Sequence, residues 1–444
     1  MSCTKIIMTW ISETKDCMFY KIKNFFIVLQ YIFFKAVGLS PWTIDMSQVI
    51  NNSRMINYSN DLFKNSMISI IYNCMIIIVM ASFYIWVILF PNNQHGRRYD
   101  TIYSARIIAI GIPSLGTIIT LITWFYYIVR KKKILNSTEK LLKLDKKLKE
   151  LYCTENNYKS DYNFYIILFI NFLLSFCLLI FRLRRLYWTS VLLEYIPSLV
   201  ISWTMMQFSL VINVIHNQFK MINISILKLG NLIDNNSNYD DDELITSEIY
   251  YPRIIITRRI ICGSIAHDLD NIKCIYSELC DVWCEIFNFY GLLILLGITY
   301  FGGHSMTTIY DLWLSIKLLR VLKLWTLLNR PKRYFNTFFK NFTSDILLLI
   351  LIIFVFIVMT NIVTKTIQQS KKTSYCIHVL QNKCTMDDES KEKLCSLSLS
   401  LLQRKFECRV FDITSIDNSF LLTMFDTIMT YAVIIVQFRV ELAT

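Results

Sequence analysis

Seven runs of roughly twenty apolar residues constrain this chain more than any other feature. They lie at about 67–90, 102–129, 164–181, 189–213, 286–302, 345–364 and 419–438. In a bilayer core there is no water for backbone N–H and C=O groups, so such a run spans as a helix that satisfies its own hydrogen bonds. The spacing therefore predicts an all-α protein with seven transmembrane helices. Composition agrees: 54% of residues are hydrophobic and only 18% charged, against about a quarter charged in soluble domains. The formal charge of +13 does not mark a nucleic-acid binder, because its Lys and Arg lie between apolar runs rather than in one basic domain.

Lys and Arg set the orientation. The loop after the second run is the densest in cations, reading Arg130-Lys131-Lys132-Lys133 and then Lys140, Lys143, Lys146, Lys147, Lys149 and Lys159. It is expected in the cytoplasm, at the plasma membrane. Counting crossings then puts the N-terminus inside and the tail Arg439–Thr444 outside. The connection 303–343 is outside on this scheme, yet carries Lys317, Arg320, Lys323, Arg330, Lys332, Arg333 and Lys340. Alternation of these cations with Leu and Trp suggests a basic amphipathic helix over 309–329 on the outer surface, or else an eighth crossing. Near Met1 the run Ile6-Ile7-Met8 is too brief for a signal peptide, and Phe25–Gly38 is too short to span and is expected at the membrane surface.

The expected organisation is an intracellular segment 1–66 with an interfacial helix, helices one to six with cytoplasmic extensions over 67–364, an anchor segment 365–418, and a last helix with a short tail over 419–444. The inner segments carry their own pattern. Ile265, Leu269, Ile272, Tyr276, Leu279, Trp283, Ile286 and Tyr290 recur in steps of four and three, a coiled-coil-like seam running into the fifth span. Leu141, Leu144, Leu148 and Leu151 repeat the pattern after span two, and Leu394, Leu397, Leu401 and Leu402 before span seven. Asn235–Glu243, with Asp240-Asp241-Asp242, reads as a solvated connector rather than a calcium loop.

All thirteen cysteines fall inside or within the membrane on this topology, so no structural disulfide is expected. Cys274, Cys280, Cys284 and His267 lie together without a CxxC pair of matching spacing elsewhere, so no metal site is expected. No phosphate loop, Ser/His/Asp set or paired intramembrane carboxylates are present; neither catalysis nor a cofactor is expected. Asn341-Phe342-Thr343 is the glycosylation candidate in an outer loop, while the sequons at Asn51, Asn57, Asn136, Asn223 and Asn235 lie in inner ones.

Chemistry concentrates in the last run. Asp426, Thr430, Val433 and Gln437 share one helix face among Met, Ile, Val and Phe. Such a face meets either another helix or water, and the pattern alone leaves both open. Arg106 and Glu194, near the outer ends of spans two and four, are intramembrane charges within snorkelling reach of the interface. Trp188, Tyr300 and His304 stand at the same level, as interfacial belt residues or as ligand contacts.

Thr430-Tyr431-Ala432-Val433-Ile434-Ile435-Val436-Gln437-Phe438 fits the TYhhhhhQF pattern (h apolar) of insect gustatory receptors. Leu397–Asp412, with Leu402, Arg404, Lys405, Cys408, Phe411 and Asp412, is similar to that family's approach to its last span. Lys371-Lys372-Thr373 and Gly38-Leu39-Ser40-Pro41 resemble two further segments of it. The resemblance implies a tetrameric cation channel gated by a small-molecule tastant, homomeric or assembled with other gustatory receptor subunits, with the last helices around one pore and a helical cytoplasmic anchor. It implies a constriction at Gln437 and Phe438, with Thr430 and Tyr431 lining or packing below. Asp426 would add cation preference, or would cap or pair within the anchor. Gln437 stands where the sugar-receptor branch carries Glu. The tastant would sit in the outer half of helices one to six. A G-protein-coupled receptor is the alternative, but Arg182-Leu183-Arg184-Arg185 after span three is no DRY-like triplet. A transporter is a weaker one, since no repeated halves are visible.

Overall fold

The computed structural model describes residues 31–39, 43–44, 63–64, 67–89, 103–152, 162–183, 191–229, 259–261, 265–325, 332–403, 409–410 and 414–441. Nine helices of sixteen residues or more carry these residues. They are α1 (Met67–Leu89), α2 (Tyr103–Val129), α3 (Lys131–Tyr152), α4 (Tyr162–Leu183), α5 (Ile196–Leu229), α6 (Ile265–Trp325), α7 (Lys332–Lys383), α8 (Asp388–Gln403) and α9 (Asn418–Glu441). A π-helical turn, Val191–Tyr195, leads into α5. Strands among the described residues are two or three residues long, and the parallel pair β1 (Arg259–Ile261) with β2 (Cys384–Met386) ties the start of α6 to the end of α7.

Helices α1, α2, α4, α5, α6 and α7 each hold a stretch long and apolar enough to cross a membrane, and α9 holds a shorter one, Asn418–Ile434. The seven apolar runs thus fall on seven helices. Their ends lie far from where hydropathy places them. α6 has 61 residues and α7 has 52, about 92 and 78 Å at 1.5 Å per residue, against an apolar bilayer core of about 30 Å. The stretch 309–329, expected as a separate surface helix or an extra crossing, is instead the direct continuation of α6 as far as Trp325. The segments after spans four and six, which hydropathy leaves as loops, stay helical to Leu229 and Lys383. Hydropathy measures compatibility with lipid, and a helix continues past it wherever an amphipathic face finds a partner.

Those partners are visible. The seam on α6 is closed: Leu269, Ile272, Tyr276, Leu279, Trp283, Ile286 and Tyr290 are all buried, as are Leu144 and Leu148 of α3 and Leu394 and Leu397 of α8. Charges flank it. Lys140 Nζ meets Glu285 at 2.6 Å, Ser137 donates to the same carboxylate at 2.7 Å, and Lys147 meets Glu278 at 3.0 Å. On α8, Lys393 meets Asp270 at 2.6 Å and Lys273 donates to Ser396 at 2.6 Å. The hydrogen bond and charge of Asp270 raise the Lys393 pKa. Exposed pairs of this kind contribute little and mainly set register; the apolar seam carries the association.

α5 is the centre of the bundle, buried along almost its whole length and packed most extensively on α7. One polar layer crosses it, where Tyr127 donates to Gln207 at 2.6 Å beside Tyr290, Phe208 and Phe289. Ahead of α1 stands the expected N-terminal segment. Its described part, a helix over 31–36, wedges between α1, α2, α4 and α5, with the Phe33 ring 4.5 Å from Trp203 and 5.7 Å from Phe172. Gly38 ends it with φ +80°, a left-handed turn that a side chain resists. The carbonyls freed there accept from Tyr72, Trp124 and Asn73 at 2.9, 2.8 and 3.0 Å. Leu39 follows, fully buried.

Candidate functional site

Two regions hold the residues singled out by sequence. The first is α9. Asp417 caps it, accepting from the Phe420 amide at 2.9 Å, as an N-terminal Asp is suited to do. Met424, Ile428 and Ala432 are buried against the bundle, where α9 packs on α6 and α7. Asp426, Thr430, Val433 and Gln437 turn the other way and are exposed, as is Tyr431. The Thr430 hydroxyl is bonded back to the Asp426 carbonyl at 2.8 Å, leaving the Asp426 and Gln437 side chains as the polar chemistry of this face. The Phe438 side chain lies outside the described residues.

The second region lies where α2, α4, α5, α6 and α7 converge. Glu194 sits in the π-helical turn, which widens the entry to α5 and brings its carboxylate against the guanidinium of Arg182, the penultimate residue of α4. Asp345 of α7 lies 3.9 Å from the same guanidinium. Arg182 is only 5% exposed. A buried cation of this kind is retained only where carboxylates and hydrogen bonds replace its water.

One turn below, Tyr300 of α6 is fully buried; its hydroxyl lies 2.9 Å from Ser198 Oγ and 3.4 Å from the Glu194 carbonyl. The His304 ring packs edge-on against Tyr300, 5.5 Å between centroids, with its Nδ1 3.3 Å from Thr308 Oγ1. Gly116 makes the fit possible: a Cβ there would lie 2.4 Å from the Tyr300 ring and 3.0 Å from Pro197. Glu194, Tyr300 and His304 are therefore brought together as one polar cluster. Arg182 and Asp345 belong to it and escaped the search for intramembrane charges, because each lies at the end of an apolar run, where a snorkelling charge is ordinary.

Arg106 lies on α2 with its side chain outside the described residues, and Trp188 lies outside them altogether. Asn341 falls inside the helix α7 rather than in a loop, its side chain likewise undescribed. The described cysteines, Cys74, Cys177, Cys274, Cys280, Cys284, Cys376 and Cys395, are free thiols.

Between α6 and α9 runs a cavity of about 310 Å³, lined by Gly302, Gly303, Met306, Phe420, Met424 and Ile428 among others.

A bundle of helices long and apolar enough to cross a membrane, two of them far longer than a bilayer core is thick, with a buried polar cluster at their convergence, defines a multi-span membrane protein. The family model described as 7tm Chemosensory receptor matches residues 29–442, nearly the whole chain. The chain belongs to this family, that of the insect gustatory receptors. It is a family of chemosensory receptors and not of enzymes. No curated protein matches the chain.

Proposed function

We propose that this chain is a subunit of a ligand-gated, non-selective cation channel, opened by a small-molecule tastant. The observation that carries the reading is the outward face of α9. Asp426, Thr430 and Gln437 point away from every described helix of their own chain, while the apolar Met424, Ile428 and Ala432 face the bundle. A membrane helix oriented by lipid would do the reverse, since a polar group in hydrocarbon costs several kcal/mol. A hydrated path enclosed by several copies, four under closed rotational symmetry, removes that cost. Gln437, Phe438 and Val433 then form the constriction, with Thr430 and Tyr431 below and Asp426 deeper, its carboxylates favouring cations. The N-terminus, α3, the N-terminal part of α6, the C-terminal part of α7 and α8 are cytoplasmic, the last three within an anchor domain, and the C-terminus is extracellular at the plasma membrane.

The tastant binds at the polar cluster of Glu194, Tyr300 and His304, with Arg106 and Trp188 as further candidates. Binding opens the pore only insofar as the tastant prefers the open arrangement of α6, which contacts both the cluster and α9. The test is full-length expression in cells lacking such receptors, with and without partner subunits, recording cation current against a tastant panel. A tastant-evoked current is expected, and Gln437→Ala should alter its gating or reversal potential at unchanged surface expression. Currents identical in Gln437→Ala would overturn the pore assignment.

A further inference from the structure

We propose that the cavity between α6 and α9 is the seat of one acyl chain of a phospholipid, whose phosphate rests on Lys317. The site is independent of conduction, so its test reads no current. Three hydroxyls line the cavity and each is already used. Thr299 donates to the Leu295 carbonyl at 2.9 Å, Thr423 to Ser419 at 3.1 Å and Thr427 to Thr423 at 2.7 Å. The rest of the lining is Gly, Ile, Met and Phe. Water held in a cavity needs two to four polar partners, and these hydroxyls, their protons given to the helix backbone, keep only acceptor lone pairs in an otherwise apolar wall. The occupant is apolar.

Depth and register identify it. Thr299, Gly303, Met306, Tyr310, Trp313 and Lys317 follow one another on α6 in steps of four, three, four, three and four, so they form one stripe along one face. Its lower half lines the cavity. In its upper half the Tyr310 and Trp313 rings stack 6.3 Å apart, and Lys317 Nζ lies 5.3 Å above the Trp313 ring. Stacked Tyr and Trp capped by an exposed Lys mark a membrane–water interface. From Gly302 to Trp313 the helix rises about 16 Å, and from Met306 about 10 Å. The cavity therefore lies at acyl-chain depth directly beneath a cation at phosphate depth.

The floor is open. A Cβ on Gly302 would meet nothing within 4 Å, and one on Gly303 only Ile112 at 4.0 Å. An unbranched hydrocarbon chain lies along such an open, largely apolar floor. Charge complementarity between Lys317 and the phosphate selects a phospholipid over an uncharged apolar molecule.

The test uses the full-length chain in nanodiscs of phosphatidylcholine containing a small fraction of phosphatidylglycerol with a diazirine in one acyl chain. After irradiation, adducts are mapped by mass spectrometry. Segments 298–306 and 420–428 should carry several times the per-residue label of 71–79 on α1, whose exposed Ile71, Met75 and Val79 report bulk lipid. Gly302→Phe should reduce the label on 420–428 at least fivefold without changing that on α1. Should that variant fail to fold, Lys317→Glu serves, lowering the label threefold or more. Equal labelling of the cavity and α1, or full labelling in the variants, would overturn the proposal. So would a disulfide trapped between copies carrying Gly302→Cys and copies carrying Thr427→Cys, which would make a second chain the occupant.

Discussion

Gly116→Ala tests whether α2 and α6 meet as closely as the polar cluster requires. The new Cβ would lie 2.4 Å from Tyr300 Cε2, about 1 Å inside ordinary van der Waals contact. Tyr300 cannot swing aside cheaply, because its ring is fully buried and its hydroxyl is held at Ser198. Overpacking of this kind costs about 1–3 kcal/mol, offset by up to about 1 kcal/mol of helix propensity gained over Gly. The net loss is about 1–2 kcal/mol. With about 2.1 cal/mol/K of unfolding entropy per residue over 444 residues, this lowers Tm by about 1–2 °C. Gly111, on the same helix, is the internal control, since a Cβ there meets nothing within 4 Å; Gly111→Ala should leave Tm unchanged or raise it. The assay is thermal unfolding in detergent followed by fluorescence-detected size exclusion, with Gly116→Ala/Tyr300→Leu as the fourth corner of a double-mutant cycle. Equal Tm values for Gly116→Ala and Gly111→Ala would refute the reasoning.

Three other perturbations follow from the same geometry. Arg182→Met removes the buried cation that Glu194 and Asp345 both reach; a loss of about 3 kcal/mol is expected, seen as a lower Tm that Arg182→Met/Glu194→Gln partly restores. Lys131, 5% exposed with no hydrogen-bond partner for its Nζ among the described residues, has its pKa lowered from 10.5 by burial. Because the folded state disfavours its charge, Lys131→Met should raise Tm at pH 7, and the gap to the natural chain should narrow as pH rises toward 10.5. Asp426→Asn should lower permeability to calcium relative to sodium, measured from reversal potentials; an unchanged ratio would place the carboxylate off the ion path.

The polar stripe on the last helix was legible in the sequence because Asp426, Thr430 and Gln437 recur with the period of a helix, and periodicity alone places them on one face. Whether that face met another helix of the same chain was not legible, since it depends on how α9 docks on α6 and α7. Glu194, Tyr300 and His304 were legible one by one, as polar groups at similar depth. Their union required the π-helical turn and the close approach at Gly116, and neither has a local signature that distinguishes it from an ordinary helix entry or glycine.

By itself, the sequence determined the number and placing of the apolar helices, because in lipid each helix must satisfy its own backbone, a local requirement readable from run length. It also determined the seam on α6, since its period is local too. Only the tertiary structure decided that α6 continues unbroken to Trp325, that α7 runs unbroken from Lys332 to Lys383, and that Arg182 meets Glu194 and Asp345. Both follow from which surfaces find partners once the helices pack. That is a property of pairs of segments distant in the chain, and no single stretch of residues encodes it.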